Sequence, residues 1–292
     1  MLDYKLIEAL ACVIQEAGFD KASRVLNITQ SAVSQRIKQL EDQMGQILVT
    51  RTSPPCATDT GRNLLKHYMQ VKHLEGDLLE PVREGDDAFH TLAMGINADS
   101  LATWFYPSIE GFIHDNRILL DLKVDDQDET HLMLKRGEVA GCISSEKSAV
   151  QGCRAAFLGA MTYRFCATPA FTAQYFPHGV DADSLEKAPV VIFNRKDDLQ
   201  DQFAHLRYNR RMSLSNIHYV PSSEIFARMI ITGAACGMIP DLQSLSQVRS
   251  GGLLDLAPEH HIRVDLYWHR WNLDSLLLDQ FSRAMIQHAN IY

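Results

Sequence analysis

The sequence predicts an all-α N-terminal domain, a long linker helix, and a C-terminal α/β domain of two lobes. Three observations carry this. Apolar residues recur at helical spacing from Leu6 to Met44, broken only by glycines and a short turn. A further uninterrupted stripe runs from Leu64 to Leu78. From about residue 90 short apolar runs alternate with helical segments, the pattern of an α/β fold with a mainly parallel sheet. A chain of 292 residues is also too long for one ordinary domain. The predicted boundaries are 1–60, 61–88 and 89–292.

Leu6, Ile7, Leu10, Val13 and Ile14 share one face of a first helix, which Gly18 ends. Asp20 is the expected cap of a short second helix carrying Ala22, Val25 and Leu26 inward. Asn27-Ile28 makes a tight turn, and Thr29 is a good N-cap for a third helix. Ile28 and Val33 have the spacing of a hydrophobic staple. Val33, Ile37, Leu40 and Met44 form the inward stripe, and Gly45 suits the stop. Two helices joined by so short a turn make a helix-turn-helix. The outward face of the third helix holds Thr29, Gln30, Ser31, Ser34, Gln35 and Lys38, short or amide-bearing groups able to read base edges in a major groove. Arg36 and Lys38 can meet phosphates. An ordinary helical hairpin with a solvated face has the same spacing.

Ile47–Arg51 reads as a short strand, Pro54-Pro55 as a turn and Thr58 as the cap of the next helix. A strand–turn–strand at this place is a wing, with Arg51 where a wing meets the phosphate backbone. In the helix from Thr58 to Leu79, Leu64, Tyr68, Val71, Leu74 and Leu78 form one apolar stripe. Such a stripe needs a partner, either a second subunit or the chain's own C-terminal domain. The acidic Glu84-Gly85-Asp86-Asp87 reads as a solvated hinge.

Predicted strands of the C-terminal domain are Leu92–Ile96, Ile118–Val124, Val139–Ser144, Tyr163–Thr168, Val190–Phe193 and Val264–Trp268; predicted helices are Ser100–His114, Asp128–Arg136, Ser223–Thr232 and Asp274–His288. Ligands of open α/β sheets bind where strands end. The candidates there are Asn97, Asp99, Ser100, Ser144, Ser145, Glu146, Ser223 and Glu224, with Asp125 and Asp126 as further partners for a cation. Ser100 or Asp99 is the expected cap of the first helix, whose N–H groups would draw an anion.

Composition bounds the function. The net charge is −8, yet residues 1–62 carry seven basic and seven acidic groups, so the helix-turn-helix is neutral and the rest of the chain carries the whole excess. DNA binding needs local basic groups, not a basic protein. No apolar run is long enough for a membrane span, and the N-terminus has none of the marks of a signal peptide, so a cytoplasmic protein is expected. The six cysteines form no C-x-x-C pair, and no histidine stands at zinc-ligand spacing, so neither metal nor cofactor is expected. The nucleophile, phosphate-loop and dinucleotide motifs are missing, so no catalytic residue is assigned and no enzyme is expected.

The stretch from Ala22 to Glu41, continued by Gly45, Leu48, Arg51, Thr58 and Gly61, resembles the N-terminal signature of LysR-type transcriptional regulators. The resemblance implies a winged helix-turn-helix on double-stranded promoter DNA, a dimerising linker helix, homodimers or homotetramers, and contact with RNA polymerase. It also implies a two-lobed C-terminal domain like that of periplasmic binding proteins, the chain crossing twice between one lobe at 89–162 and 267–292 and the other at 163–266. Asn97–Trp104, Arg136–Val139, Tyr175–Val180, Lys187–Val191, Met238–Pro240 and Leu266–Arg270 are similar to the ArgP subgroup, also called inhibitors of chromosome initiation. That likeness implies lysine or arginine as effector and control of basic amino-acid export. Two alternatives share the same N-terminal domain: a replication-origin or architectural DNA-binding protein with no ligand response, and a regulator sensing an unrelated metabolite.

Overall fold

The structure, a computed structural model, describes residues 2–50, 52–79, 89–125 and 127–291. Arg51, Asp126 and the expected hinge at 84–87 lie outside the described residues.

Helix α1 spans Tyr4–Gln15, capped by the Asp3 carboxylate on the Lys5 amide. Helix α2 spans Phe19–Val25 and α3 Gln30–Met44. The cap of α2 is Gly18, not Asp20, which lies inside the first turn and pairs with Arg24 at 2.7 Å. An ion pair one helical turn apart suits a position within the helix, not before it. Val25, expected inward, is 57% exposed, while Ala22 and Leu26, four residues apart on one side of α2, face the core. The turn at Asn27 is left-handed, as its positive φ of 52° records. Thr29 caps α3 through the Ala32 amide, and Gly45 closes it at a φ of 64°. Leu6, Ile7, Leu10, Val13, Val33, Ile37 and Leu40 make one closed core.

The wing is smaller than predicted: strand β1 is Val49–Thr50, antiparallel to β2, Cys56–Ala57. Helix α4, Asp59–Leu79, follows, and the Thr58 hydroxyl accepts the Gly61 amide at its start. Leu64 of its stripe is buried in the N-terminal core, while Leu78 is 71% exposed. A different side of α4 meets the C-terminal domain. There Met69 packs on that domain's core and His73 Nε2 lies 2.8 Å from Ser275 Oγ, beside the Trp271 ring.

Lobe I is built from β3 (His90–Ile96), α5 (Ala98–Ala102), α6 (Phe105–Asn116), β4 (Ile118–Val124), α7 (Gln127–Arg136) and β5 (Gly141–Ser144). The long strand β6, Cys153–Ala167, then carries the chain into lobe II. That lobe holds α8 (Pro169–Tyr175), α9 (Ala182–Lys187), β7 (Pro189–Ile192), α10 (Leu199–Tyr208), β8 (Asn216–Tyr219), α11 (Ser223–Ile231), β9 (Gly237–Pro240), α12 (Asp241–Ser250) and β10 (Leu254–Asp255). Strand β11, Ile262–Trp271, returns to lobe I, where α13, Leu276–His288, packs against α6.

The sheet is mixed, not mainly parallel. Its order is β10-β6-β11-β5-β3-β4, with β9 also on β6. Only β4–β3–β5 run parallel; β11 is antiparallel to both β5 and β6. Two long crossing strands that enter and leave the same lobe must oppose each other, which breaks the parallel run. A bulge between Leu266 and Tyr267 marks the passage between lobes. Gly159, opposite Leu266, has a φ of 141°, and a Cβ there would lie 2.2 Å from the Ile291 carbonyl, so the tail of the chain can lie flat on the crossing strand. The helix predicted over Ser100–His114 is two, α5 and α6, parted at Thr103-Trp104.

Candidate functional site

Two surfaces have the geometry of binding sites. The first is the outer face of α3. Thr29, Gln30, Ser31, Ser34, Gln35 and Lys38 are all exposed on it, and Arg36 is half-buried at its side. Their common face follows from the opposite stripe, since Val33, Ile37 and Leu40 at three- and four-residue steps are buried. The Thr29 and Ser31 hydroxyls are 2.9 Å apart. A residue without an expected role fixes this surface to the wing. The Glu41 carboxylate, at the inner end of α3, accepts the Leu48 amide at 2.8 Å and the Val49 amide at 3.3 Å.

The second is a cleft of about 530 Å³ between the lobes, a size that suits an amino acid. Lobe I brings Asn97 from the β3–α5 turn, Asp99 from the first turn of α5, Asp125 from the end of β4 and Ser145 from the end of β5. Tyr163 of β6 stands at the back, and Arg263 and Asp265 enter from β11. The loop after β7 supplies lobe II's wall: Phe193, Asn194, Lys196, Asp197 and Asp198.

This loop is internally braced. The Asn194 side chain accepts the Lys196 and Asp197 amides at 2.7 and 3.1 Å. The Asp197 carboxylate accepts the Phe193 and Leu199 amides, both at 3.0 Å. Burial nevertheless raises the Asp197 carboxyl above the ordinary carboxylate range, and the Asp99 charge adds to the rise. Across the cleft Tyr163 donates its hydroxyl to Asp99 at 2.8 Å. Burial holds the Asp99 carboxyl up as well, against the lowering effect of hydrogen bonds from Ser223 and Tyr163. Burial and the same carboxylate push the Tyr163 phenol far up, so it stays a donor. Five aspartates and two basic residues line the cleft, which therefore favours a cationic guest.

Residues 4–62 match the family described as "Bacterial regulatory helix-turn-helix protein, lysR family", and residues 86–290 match "LysR substrate binding domain". The chain belongs to the LysR family. It is similar to the HTH-type transcriptional regulator ArgP of Pseudomonas fluorescens, strain Pf0-1, with 42% identity over 99% of this chain and 97% of that one. It resembles the crystal structure of ArgP from Mycobacterium tuberculosis with 34% identity and a TM-score of 0.89, over 100% of this chain and 99% of the other. It also resembles full-length LysG from Corynebacterium glutamicum with bound effector arginine, with 32% identity and a TM-score of 0.78, over 99% and 98%. The chain is accordingly a LysR-type, ligand-responsive transcription regulator with a winged helix-turn-helix and a two-lobed α/β domain.

On this LysR-type scaffold the cleft gathers Asn97, Asp99 and Ser145 of the expected ligand residues, with Asp125. Ser223 reaches it indirectly, through Asp99. The others are placed elsewhere. Ser100 is fully buried, its hydroxyl 3.8 Å from Met161 Sδ, because it sits on the inward side of α5. Neither Ser100 nor Asp99 caps that helix; the N-cap position is Asn97, which makes no capping bond. The Ser144 hydroxyl is buried and accepts the Glu146 amide. Glu146 and Glu224 are exposed and do not line the cleft. Tyr163, Asp197, Asp198, Lys196 and Arg263 were not expected. The Asn194–Asp197 loop has one legible signal, an Asn followed by two charged residues and Asp-Asp after an apolar strand.

Proposed function

We propose that this LysR-type regulator binds lysine or arginine between its lobes and alters its grip on promoter DNA in response. The observation that carries the reading is the acid excess of the cleft, five aspartates against two basic residues, which favours a cationic over a neutral amino acid. Lys196 and Arg263, on the same walls, suit the ligand's α-carboxylate. The arginine bound to the similar LysG supports the same class of effector. Thr29, Gln30, Ser31, Ser34, Gln35 and Lys38 face the bases or their edges, with Arg36 and Arg51 at the phosphates. The exposed Leu74 and Leu78 of α4 pair with a second subunit, as two half-sites require. Dimers or tetramers then act at promoters of basic amino-acid export or metabolism through RNA polymerase, in the cytoplasm, without turnover of the ligand and without a cofactor. Among the described residues no helix is long and apolar enough to cross a membrane, and no group of three or more His, Cys, Asp or Glu is placed to hold a metal.

A thermal-shift panel of the purified protein against the common amino acids tests this. A ligand at a hundred times its dissociation constant adds about 2.7 kcal/mol of stability. Shifts confined to lysine and arginine are expected; no shift with either overturns the effector assignment.

A further inference from the structure

The polar end of the cleft is assembled from both lobes. Asn97 of lobe I is 5% exposed, lines the cleft, and has a buried side-chain oxygen without a hydrogen-bond partner. A buried acceptor of this kind is destabilising until a donor reaches it. Two residues on, Asp99 presents a carboxylate oriented by Tyr163. From lobe II, Asp197 presents another, fixed in direction by the Phe193 and Leu199 amides. Both carboxylates line the same cleft, and the charge of Asp99 adds to the rise of the Asp197 carboxyl. All three groups are acceptors; the Asn97 oxygen has no donor, and each carboxylate, with about four acceptor positions, has room for more donors than the two already on it.

We propose that Asn97 and Asp99 of one lobe and Asp197 of the other jointly receive the ligand's cationic group, with Asp197 setting the preference for a cation over a neutral isostere. This rests on the basic-amino-acid reading above and deepens it. An ammonium carries three donors and a guanidinium five, enough to satisfy the Asn97 oxygen and both carboxylates at once. A cation between Asp99 and Asp197 turns their repulsion into attraction from both sides. Because the carboxylates belong to different lobes, that gain exists only while the lobes are close. The ligand therefore binds the closed arrangement more tightly than the open one, which is the condition for it to shift the equilibrium. A neutral ligand of the same shape would leave the repulsion in place.

The test is calorimetric titration of the full-length protein with L-arginine, with L-lysine and with L-citrulline, the uncharged isostere of arginine. Wild type, Asp197→Asn and, as a control, Asp201→Asn on the exposed side of α10 are compared. Wild type is expected to prefer arginine strongly, and Asp197→Asn to lose at least about tenfold in arginine affinity with little change toward citrulline. Asp201→Asn should keep the wild-type preference. The Asp197 side chain also braces its loop, so Asp99→Asn is titrated in parallel and keeps the test decisive where Asp197→Asn does not fold. Wild type that binds arginine, with both variants keeping its arginine-to-citrulline ratio, overturns the shared cation site alone. Wild type that binds neither arginine nor lysine overturns the basic-amino-acid reading, and the site with it.

Discussion

Glu41 gives the sharpest quantitative test of how the recognition helix holds the wing. Its carboxylate accepts two backbone N–H groups, Leu48 at 2.8 Å and Val49 at 3.3 Å, and both of those residues are buried. A hydrogen bond to a charged group contributes about 1.5–3 kcal/mol, and a buried N–H left without an acceptor costs about 1–3 kcal/mol. The second bond is long, and the half-buried site admits some water, so Glu41→Ala should destabilise the N-terminal domain by roughly 2–4 kcal/mol. For a domain of that size each kcal/mol moves the midpoint by about 4–8 °C, so the shift should be on the order of 10–30 °C. Glu41→Gln keeps an acceptor oxygen in place and should cost about 1 kcal/mol. Calorimetric melting reads both variants. Fluorescence anisotropy with an operator duplex, below the melting range, should show weaker binding by Glu41→Ala as the wing loses its register with α3. Wild-type melting and operator affinity in Glu41→Ala would refute the reasoning.

Three further predictions follow from other parts of the molecule. Gly137 has a φ of 78°, and a Cβ there would lie 2.5 and 2.6 Å from Lys66 Cβ and Cα, so Gly137→Ala should lift α4 off lobe I and lower hydrogen-exchange protection of that helix; unchanged protection would show that the close approach is not needed. Raised carboxyls at Asp99 and Asp197 favour the folded apoprotein below their unfolded-state pKa, and this advantage is lost as pH rises through the folded-state values. A bound cation compensates the charged form, so the arginine-induced thermal shift should grow as pH rises through those folded-state values and be smallest at the acid end. A shift that is flat or falls with pH would contradict it. Lys38→Ala should weaken operator binding and reduce the slope of log affinity against log salt by about one, since it removes one cation from the exposed face of α3; an unchanged slope would mean that Lys38 meets no phosphate.

Local spacing alone determined the N-terminal domain. Val33, Ile37 and Leu40 had to face inward, so Gln30, Ser34 and Lys38 had to face outward, and Thr29 and Gly45 closed the helix at both ends. Each of these contacts lies within a turn or two of chain, where periodicity and capping chemistry act directly. The same local rules went wrong at the edge of a helical face, as with Val25 beside Ala22 and Leu26, or where an N-cap had several candidates, as at Gly18 and Asn97. The turn from β3 into α5 was legible as a site because a polar run interrupts an apolar strand, and Asn97 and Asp99 do line the cleft.

Tertiary structure decided the rest. Asp99 and Asp197 are nearly a hundred residues apart, and only the antiparallel crossing of β6 and β11 brings their lobes face to face. The same crossing makes the sheet mixed and puts Tyr163 behind Asp99, at a separation in sequence that no periodicity can register. Burial then made two ordinary aspartates reluctant to carry charge, a property of their surroundings and not of their spelling in the chain.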